Sequence, residues 1–206
     1  MTKDSHCCML VKFIQQKESA HYFILYQYLG MMDLDFHLVL IGNIKEMDKY
    51  WYNHLLSNYK MKLYISHISS LPRDKLYAYY KYCDTFIMPS FYEGSPRVIK
   101  EAMYAKSLIV ASDIPGNRML DKETKSILFF NPGDSQKLNQ ILKILLISYQ
   151  DYDINERKEM AYKLVQNFTP QKVALDRINI YNQIIEENLL INRKIIEVRQ
   201  KLELMR

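Results

Sequence analysis

Short runs of apolar residues alternate with longer segments of helical periodicity over the first 150 residues. A continuous apolar run is typical of a strand that is buried on both faces, whereas apolar residues at three- and four-residue steps indicate a helix. The pattern predicts strands at 7–13, 36–41, 63–66, 85–88, 108–111 and 127–130. It predicts helices at 19–32, 48–59, 73–82, 96–104 and 135–148. Beyond residue 150 only helical patterns follow, at 155–167 and from 171 onward.

Strands that alternate with helices indicate βαβ units and a parallel sheet. We therefore predict an α/β fold, with a Rossmann-like, mainly parallel sheet of about six strands, helices on both faces and a C-terminal helical extension. The sheet domain is assigned to residues 1–182. Residues 183–206 are assigned to an amphipathic C-terminal helix, because apolar residues recur there at three- and four-residue steps, at Ile191, Ile195, Val198, Leu202 and Met205.

The composition is that of a globular chain, since 49% of the 206 residues are hydrophobic and 25% are charged. The net charge of +5 is spread along the chain without a basic run. We therefore expect no nucleic-acid partner and at most peripheral membrane contact. The three cysteines have no metal-ligand spacing, and the chain has neither a secretory signal pattern nor an apolar run of about 18 residues. These features predict a cytoplasmic location.

The segment from residue 86 to residue 116, FIMPSFYEGSPRVIKEAMYAKSLIVASDIPG, contains the candidate chemistry. A buried strand ends at Pro89, and the following loop carries Glu93 and Gly94. Pro96 favours a helix start, whose first N–H groups form an anion site, and Gly94 lets a ligand approach the backbone. Glu93 in the loop and Glu101 on the helix provide paired acceptors for sugar hydroxyls. The alternative interpretation is a solvated loop acid and a helix surface acid.

The segment resembles the donor-site motif of family 4 glycosyltransferases, which are retaining enzymes of the two-Rossmann-domain (GT-B) architecture. That motif has Pro-Ser after a strand, then Glu-Gly, and a second Glu after seven intervening residues. Glu93 and Glu101 have this spacing. The flanking residues agree at Pro89-Ser90, Pro96, Ala102-Met103, Pro115-Gly116 and the FNPGD turn at 130–134. The resemblance covers residues 7–182 and implies the C-terminal, donor-binding domain of such an enzyme.

The resemblance also implies roles for individual residues. Glu101 is expected to bind the ribose hydroxyls of the nucleotide, and Glu93 is expected to lie beside the donor sugar as a catalytic residue. The remaining donor-binding residues of the motif are expected to line the sugar and diphosphate, namely Gly94, Ser95, Pro96, Arg97 and Val98. No metal and no cofactor is implied, because the nucleoside-diphosphate sugar is the donor substrate.

A second, weaker resemblance lies after the first strand, where family members carry an Arg and a Lys that reach the diphosphate. Lys12 and Lys17 occupy the corresponding places. A cation there stabilises the charge that grows on the leaving diphosphate, so Lys17 is predicted to be catalytic together with Glu93. Lys in place of Arg loses the bidentate fork, and Val11 and Glu18 stand where the family commonly has glycine. The alternative is two solvated lysines at a strand end.

Three functions remain open from the sequence. The first is transfer of a sugar from a nucleoside-diphosphate sugar to an unknown acceptor with retention, with the missing acceptor domain supplied by a partner chain. This would make the protein a hexosyltransferase-type enzyme that is active only in that assembly. The second is a non-catalytic or degenerate nucleotide-sugar-binding module acting through a partner protein. The third is an interaction protein that associates through the C-terminal apolar stripe.

Overall fold

The structure is a computed structural model that describes residues 7–12, 36–44, 46, 49–57, 65–147 and 153–204. The chain divides into two compact units, Met1–Val165 and Gln166–Arg206. In the second unit, a 3₁₀ helix at Gln166–Phe168 precedes one helix at Pro170–Leu204. This helix runs through residues 182 and 183, where the sequence-based boundary lies, and that boundary stays a prediction. No helix of the described residues is long and apolar enough to cross a bilayer.

The first unit contains a parallel sheet. Its strands are β1 Cys7–Lys12, β2 Phe36–Ile41, β3 Ile65–Ile68, β4 Thr85–Met88, β5 Leu108–Ser112 and β6 Ile127–Phe130. They form one six-stranded sheet in the order β3-β2-β1-β4-β5-β6, with every neighbouring pair parallel. This is the order of a doubly wound sheet, in which the chain winds outward from the centre in both directions. The predicted α/β, Rossmann-like class is therefore confirmed.

From β2 onward, helices connect the strands. The described helices of the first unit are α1 Lys49–Ser57, α2 Arg73–Tyr82, α3 Arg97–Tyr104, α4 Pro115–Arg118, α5 Ser135–Ile147 and α6 Ile154–Val165, and α7 is the Pro170–Leu204 helix of the second unit. The short helix α4 is not predicted from the sequence, because four residues are too few to show a helical period. The predicted helix at 19–32 lies outside the described residues.

Strands β2, β4, β5 and β6 bury both of their faces, as their continuous apolar runs predict. Alternate residues point to opposite sides of a strand, so each of these four strands contributes to two separate apolar layers. One layer packs on α5 and includes Leu38, Leu40, Ile87, Leu108, Val110 and Phe130. The other packs on α2, α3 and α6 and includes Val39, Ile41, Phe86, Met88, Ile109 and Ala111. These four strands are thus covered on both faces.

The third strand differs from its prediction. β3 is described over Ile65–Ile68 and so continues two residues past the predicted end at 66, while the predicted start at 63 lies outside the described residues. All four of its residues are half-buried at the edge of the sheet. An edge strand has a weak apolar pattern, and two polar side chains interrupt this one. Ser66 Oγ lies 2.9 Å from His37 Nε2, and His67 Nε2 lies 2.8 Å from the carbonyl oxygen of Gly42. These hydrogen bonds allow polar residues to take part in the strand.

Candidate functional site

The loop that the sequence singles out begins where the winding of the sheet reverses. β1 and β4 are neighbours, with Val11 opposite Ile87. Because the two strands are parallel, Lys12 at the end of β1 and Met88 at the end of β4 lie at the same carboxyl edge. Connections that leave such a pair diverge to opposite faces of the sheet, and the resulting crevice is where doubly wound proteins bind ligands. The β4–α3 connection, which contains Glu93, begins there.

The β4–α3 connection, residues 89–96, combines buried anchors with an exposed tip. Ser90, Glu93 and Pro96 are buried, whereas Gly94 and Ser95 are exposed. Only 9% of Glu93 is exposed, and its Oε1 accepts a hydrogen bond of 3.1 Å from Ser90 Oγ. Burial raises the pKa of the Glu93 carboxyl, and the bond from Ser90 offsets this only in part. The connection therefore holds an acid that resists ionisation beside an accessible backbone.

The first turn of α3 presents backbone donors at the end of this connection. Pro96 is the N-cap residue, with φ of −70°, and no side chain caps the helix. The first turn carries Arg97 and no acid. Ser95 Oγ instead accepts a hydrogen bond of 2.9 Å from Lys100 Nζ. An N-terminus with backbone N–H groups, without a capping acid and with nearby cations, favours an anionic ligand.

Glu101 lies one turn further along α3, on the same side as Arg97. The side chain of Glu101 is 27% exposed. Its Oε2 accepts a 3.3 Å hydrogen bond from the hydroxyl of Tyr80, and its Oε1 lies 3.5 Å from Arg73 Nη2. Burial, and then the charge of Glu101, raise the pKa of Tyr80, so that the phenol stays a donor. Arg73 begins α2 after the carboxyl end of β3, which places the Glu101 carboxylate near that edge of the sheet.

The structure describes most of the predicted donor-binding residues with their side chains, one by its backbone alone and one not at all. Five of them are consecutive: Glu93, Gly94, Ser95 and Pro96 end the β4–α3 connection, and Arg97 is the first residue of α3.

Val98 is different, because its side chain is 5% exposed and belongs to the apolar layer under α3. Only its backbone N–H is therefore available to a ligand. Lys12 is placed by its backbone as the last residue of β1. Lys17 lies outside the described residues.

Three neighbours of the two acids are not found by sequence reasoning. Arg73 and Tyr80 contact Glu101 from α2, and Gly116 contacts the backbone of Glu93 from α4. No local pattern relates α2 to α3, because these contacts span more than 20 residues of sequence. The one sequence signal was Pro115-Gly116, which belongs to the family motif but carries no indication of what the glycine touches.

Metal-ligating groups are not brought together in the part of the chain that the structure describes. No cluster there contains three or more His, Cys, Asp or Glu side chains able to hold a cation. His67 lies within β3, and its bond to Gly42 holds the turn that follows β2. The φ of Gly42 is 136°, a value that favours glycine. His67 and Gly42 thus have structural roles where β2 and β3 end.

Solved structures of similar fold include larger proteins. Sucrose-phosphate synthase from Thermosynechococcus elongatus aligns with a TM-score of 0.72 and 18% identity, over 91% of this chain and 47% of its own. A glycosyltransferase from Rickettsia africae aligns with a TM-score of 0.71 and 21% identity, over 88% and 48%. HepE of Anabaena, in complex with UDP and glucose, aligns with a TM-score of 0.66 and 19% identity, over 83% and 48%. The chain spans about half the length of these proteins.

At such identities, similarity to solved structures establishes the fold alone. Membership of a family comes from the sequence match, which covers residues 13–164 with the family described as Glycosyl transferases group 1. The matched region extends from the end of β1 into α6, and it includes Glu93, Glu101 and the whole β4–α3 connection. This chain belongs to the glycosyl transferases group 1 family.

Proposed function

We propose that this chain is the donor-binding domain of a family 4 retaining glycosyltransferase of the GT-B architecture. It binds a nucleoside-diphosphate sugar in the crevice between the carboxyl ends of β1 and β4. The observation that carries the proposal is the position of the β4–α3 connection, which brings Glu93 and the uncapped start of α3 to the point where the sheet winding reverses. A separate acceptor domain, on a partner chain or elsewhere in a longer protein, completes the catalytic cleft.

The ribose of the nucleotide is assigned to Glu101. An ionised carboxylate accepts two hydroxyl hydrogen bonds with charge assistance, which gives both affinity and geometric selectivity. Tyr80 fixes the orientation of the carboxylate from the buried side. The Arg73 side chain is 87% exposed, and an ion pair of this kind contributes about 0–1 kcal/mol. Ribose hydroxyls can therefore compete with Arg73 for the carboxylate.

The sugar and diphosphate are assigned to the β4–α3 connection. The diphosphate lies against the first N–H groups of α3 and the side chain of Arg97, while Glu93 faces the sugar. Lys12 and Lys17 oppose the diphosphate from the β1 side and stabilise the negative charge that develops as it leaves. Support for this donor class comes from HepE, a protein of the same fold whose structure holds UDP and glucose.

A donor-binding module without turnover is the second candidate. The observation that favours it is Lys12, because a lysine lacks the planar fork with which an arginine holds two phosphate oxygens. Both candidates predict donor binding. They separate in a transfer assay with a supplied acceptor domain, where only the enzyme releases nucleoside diphosphate faster than the free donor hydrolyses.

A thermal-shift panel of UDP, GDP, UDP-glucose and GDP-mannose tests the proposal. One nucleotide series should stabilise the wild-type chain, by about 2.7 kcal/mol at a ligand concentration one hundred times Kd. Glu101→Ala should abolish this shift. Glu123→Ala is the matched control, because Glu123 is an exposed acid in the connection that enters β6 at the opposite edge of the sheet. The proposal fails if no nucleotide shifts Tm, or if both variants respond alike.

The variant Gly94→Ala provides a second test in the same thermal-shift panel. A Cβ added at Gly94 meets no atom of the described residues within 4 Å, so the fold itself leaves room for alanine. We expect the Tm of the free variant to match that of the wild type, while the shift given by the active nucleotide series shrinks. An unchanged ligand-induced shift would remove Gly94 from the site.

A further inference from the structure

Gly116, the second residue of α4, lies directly against the backbone of Glu93. A Cβ added to Gly116 would lie 1.9 Å from the carbonyl oxygen of Glu93, 2.6 Å from its carbonyl carbon and 3.2 Å from its Cβ. Real Cβ atoms do not approach other heavy atoms to within 3.0 Å. The φ of Gly116 is outside the left-handed region, so the position requires glycine for space rather than for conformation.

The helix that carries Gly116 is firmly held. Gly116 and Asn117 are buried, and Asn117 Nδ2 donates a 2.8 Å hydrogen bond to the carbonyl oxygen of Ser112 at the end of β5. Arg118 donates two hydrogen bonds from its guanidinium to the carboxylate of Asp113. These contacts tie α4 to the end of β5. A side chain at position 116 would therefore displace the β4–α3 connection rather than α4.

The β4–α3 connection is exposed around Glu93. Tyr92, Gly94 and Ser95 are exposed on either side of Glu93. The connection also carries Phe91, which packs against one apolar layer and whose ring lies 3.6 Å from the position that a Cβ of Gly133 would occupy. That distance is ordinary van der Waals contact. Gly116 thus contacts the Glu93 backbone from the β5 side. The contact between Phe91 and Gly133, by comparison, leaves space for a methyl group.

We propose that Gly116 is a positioning residue, whose missing side chain lets the Glu93 backbone settle against α4 and so holds the Glu93 carboxyl in its buried place at the donor crevice. The role of that carboxyl rests on the proposed function, whereas the seating does not. A methyl group at position 116 would move Glu93 by about 1 Å, and misplacements of this size weaken positioned reactions on the order of 100-fold.

The test compares Gly116→Ala with Gly133→Ala. The control also replaces a glycine, and it costs stability because φ of Gly133 is +81°, but it does not touch Glu93. In the folded Gly116→Ala chain we expect the pKa of Glu93, followed by NMR of ¹³C-labelled glutamate, to fall toward its ordinary value, and amide exchange at residues 90–95 to accelerate. Gly133→Ala should lower Tm and leave both unchanged. A wild-type pKa and wild-type exchange in Gly116→Ala would overturn the proposal.

A second variant tests the proposal if Gly116→Ala does not fold. Insertion of one glycine between Gly94 and Ser95 lengthens the exposed tip of the connection, a change that surface loops tolerate. If a side chain at position 116 acts by displacing the connection, the added residue should restore folding of the alanine variant. If the combined variant still fails to fold, the glycine serves the packing of α4 alone, and the proposal is wrong.

Ligand binding is read separately with UDP-glucose and GDP-mannose. Gly116→Ala should weaken the binding of the active donor in the wild-type background and add nothing in a Glu93→Ala background. An equal further loss in both backgrounds would contradict action through Glu93. Absence of binding by any chain would refute the proposed function, while the NMR and exchange results would still decide the seating of Glu93.

Discussion

At the scale of single residues, Glu93 has the most unusual environment among the acids of the candidate site. It is buried and accepts a hydrogen bond from Ser90, yet burial outweighs that bond and raises its pKa. An acid held in this state lowers the stability of the chain at pH values where it ionises. Such acids concentrate at functional sites, where chemistry rather than stability selects them.

The variant Glu93→Gln should reveal the destabilising effect of Glu93 ionisation in the pH dependence of stability. Because the pKa of Glu93 is higher in the folded than in the unfolded chain, the folded chain binds the proton more tightly. The free energy of unfolding therefore falls as pH rises from the ordinary value of 4.5 through the folded-state pKa. Glutamine keeps the acceptor for Ser90 and does not ionise. We expect the Tm of Glu93→Gln to exceed that of the wild type increasingly over this range.

The measurement is Tm by differential scanning calorimetry from about pH 4 to about pH 8, with Glu123→Gln as the exposed control. Below the ordinary pKa of glutamate, Glu93→Gln and the wild type should have similar Tm values, because both side chains are then neutral. A difference in Tm that stays constant over the whole range would show that ionisation of Glu93 is not the cause.

At the scale of elements, the end of α3 is closed by a lysine where helices commonly have glycine. Lys106 has φ of 58°, its N–H donates to the carbonyl oxygen of Met103, and the N–H of Ser107 donates to that of Ala102. This is the Schellman arrangement of a helix C-terminus. Lys106 Nζ lies 2.6 Å from Glu159 Oε1 and 4.6 Å from the centre of the Tyr162 ring, both on α6. The strained residue thus links α3 to α6.

Replacing Lys106 by alanine and by glycine separates the strain from the contacts. Both variants lose the ion pair and the cation–π contact with α6. Alanine keeps the left-handed strain, whereas glycine relieves it, so Lys106→Gly should be more stable than Lys106→Ala by about 1 kcal/mol. This corresponds to about 2–4 °C in Tm for a chain of this size. Equal stability of the two variants, or a more stable alanine variant, would argue against strain at this position.

At the scale of the whole molecule, the two units differ in how they bury apolar side chains. Among the described residues, the members of both apolar layers of the sheet lie between Phe36 and Val165. The family match also ends within α6, at residue 164. Along α7, by contrast, large apolar side chains such as Ile184, Ile191 and Ile195 are about half exposed. The interaction role of this stripe, proposed from the sequence, stays a prediction.

A chain that ends at Val165 should therefore keep the sheet fold. We expect cooperative thermal unfolding with a Tm within about 4 °C of the full chain, since the truncation removes none of the described members of either layer. The control ends at residue 147 and removes α6, with Ala161 and Val165 of the second layer, and it should unfold far below that temperature. Circular dichroism measures both. A chain ending at Val165 that is unfolded at room temperature would contradict the independence of its core.

The sequence by itself determined the local structure and the contiguous part of the site. β2, β4, β6 and α2 begin and end where their patterns predict, because apolar periods and punctuating residues such as Pro72 and Pro89 act within a few residues. The connection from Glu93 to Arg97 was found for the same reason, since its residues are consecutive. The parallel α/β class followed from the alternation of these elements.

Only the tertiary structure decided which elements meet. It placed β1 beside β4, brought Arg73 and Tyr80 to Glu101, and set Gly116 against the Glu93 backbone. Each of these contacts joins residues that are distant in sequence, and no local period encodes such a pairing. The polar residues of β3 became acceptable only once Gly42 and His37 lay beside them. Hydrogen bonding and packing between elements, rather than propensity within them, therefore completed the site.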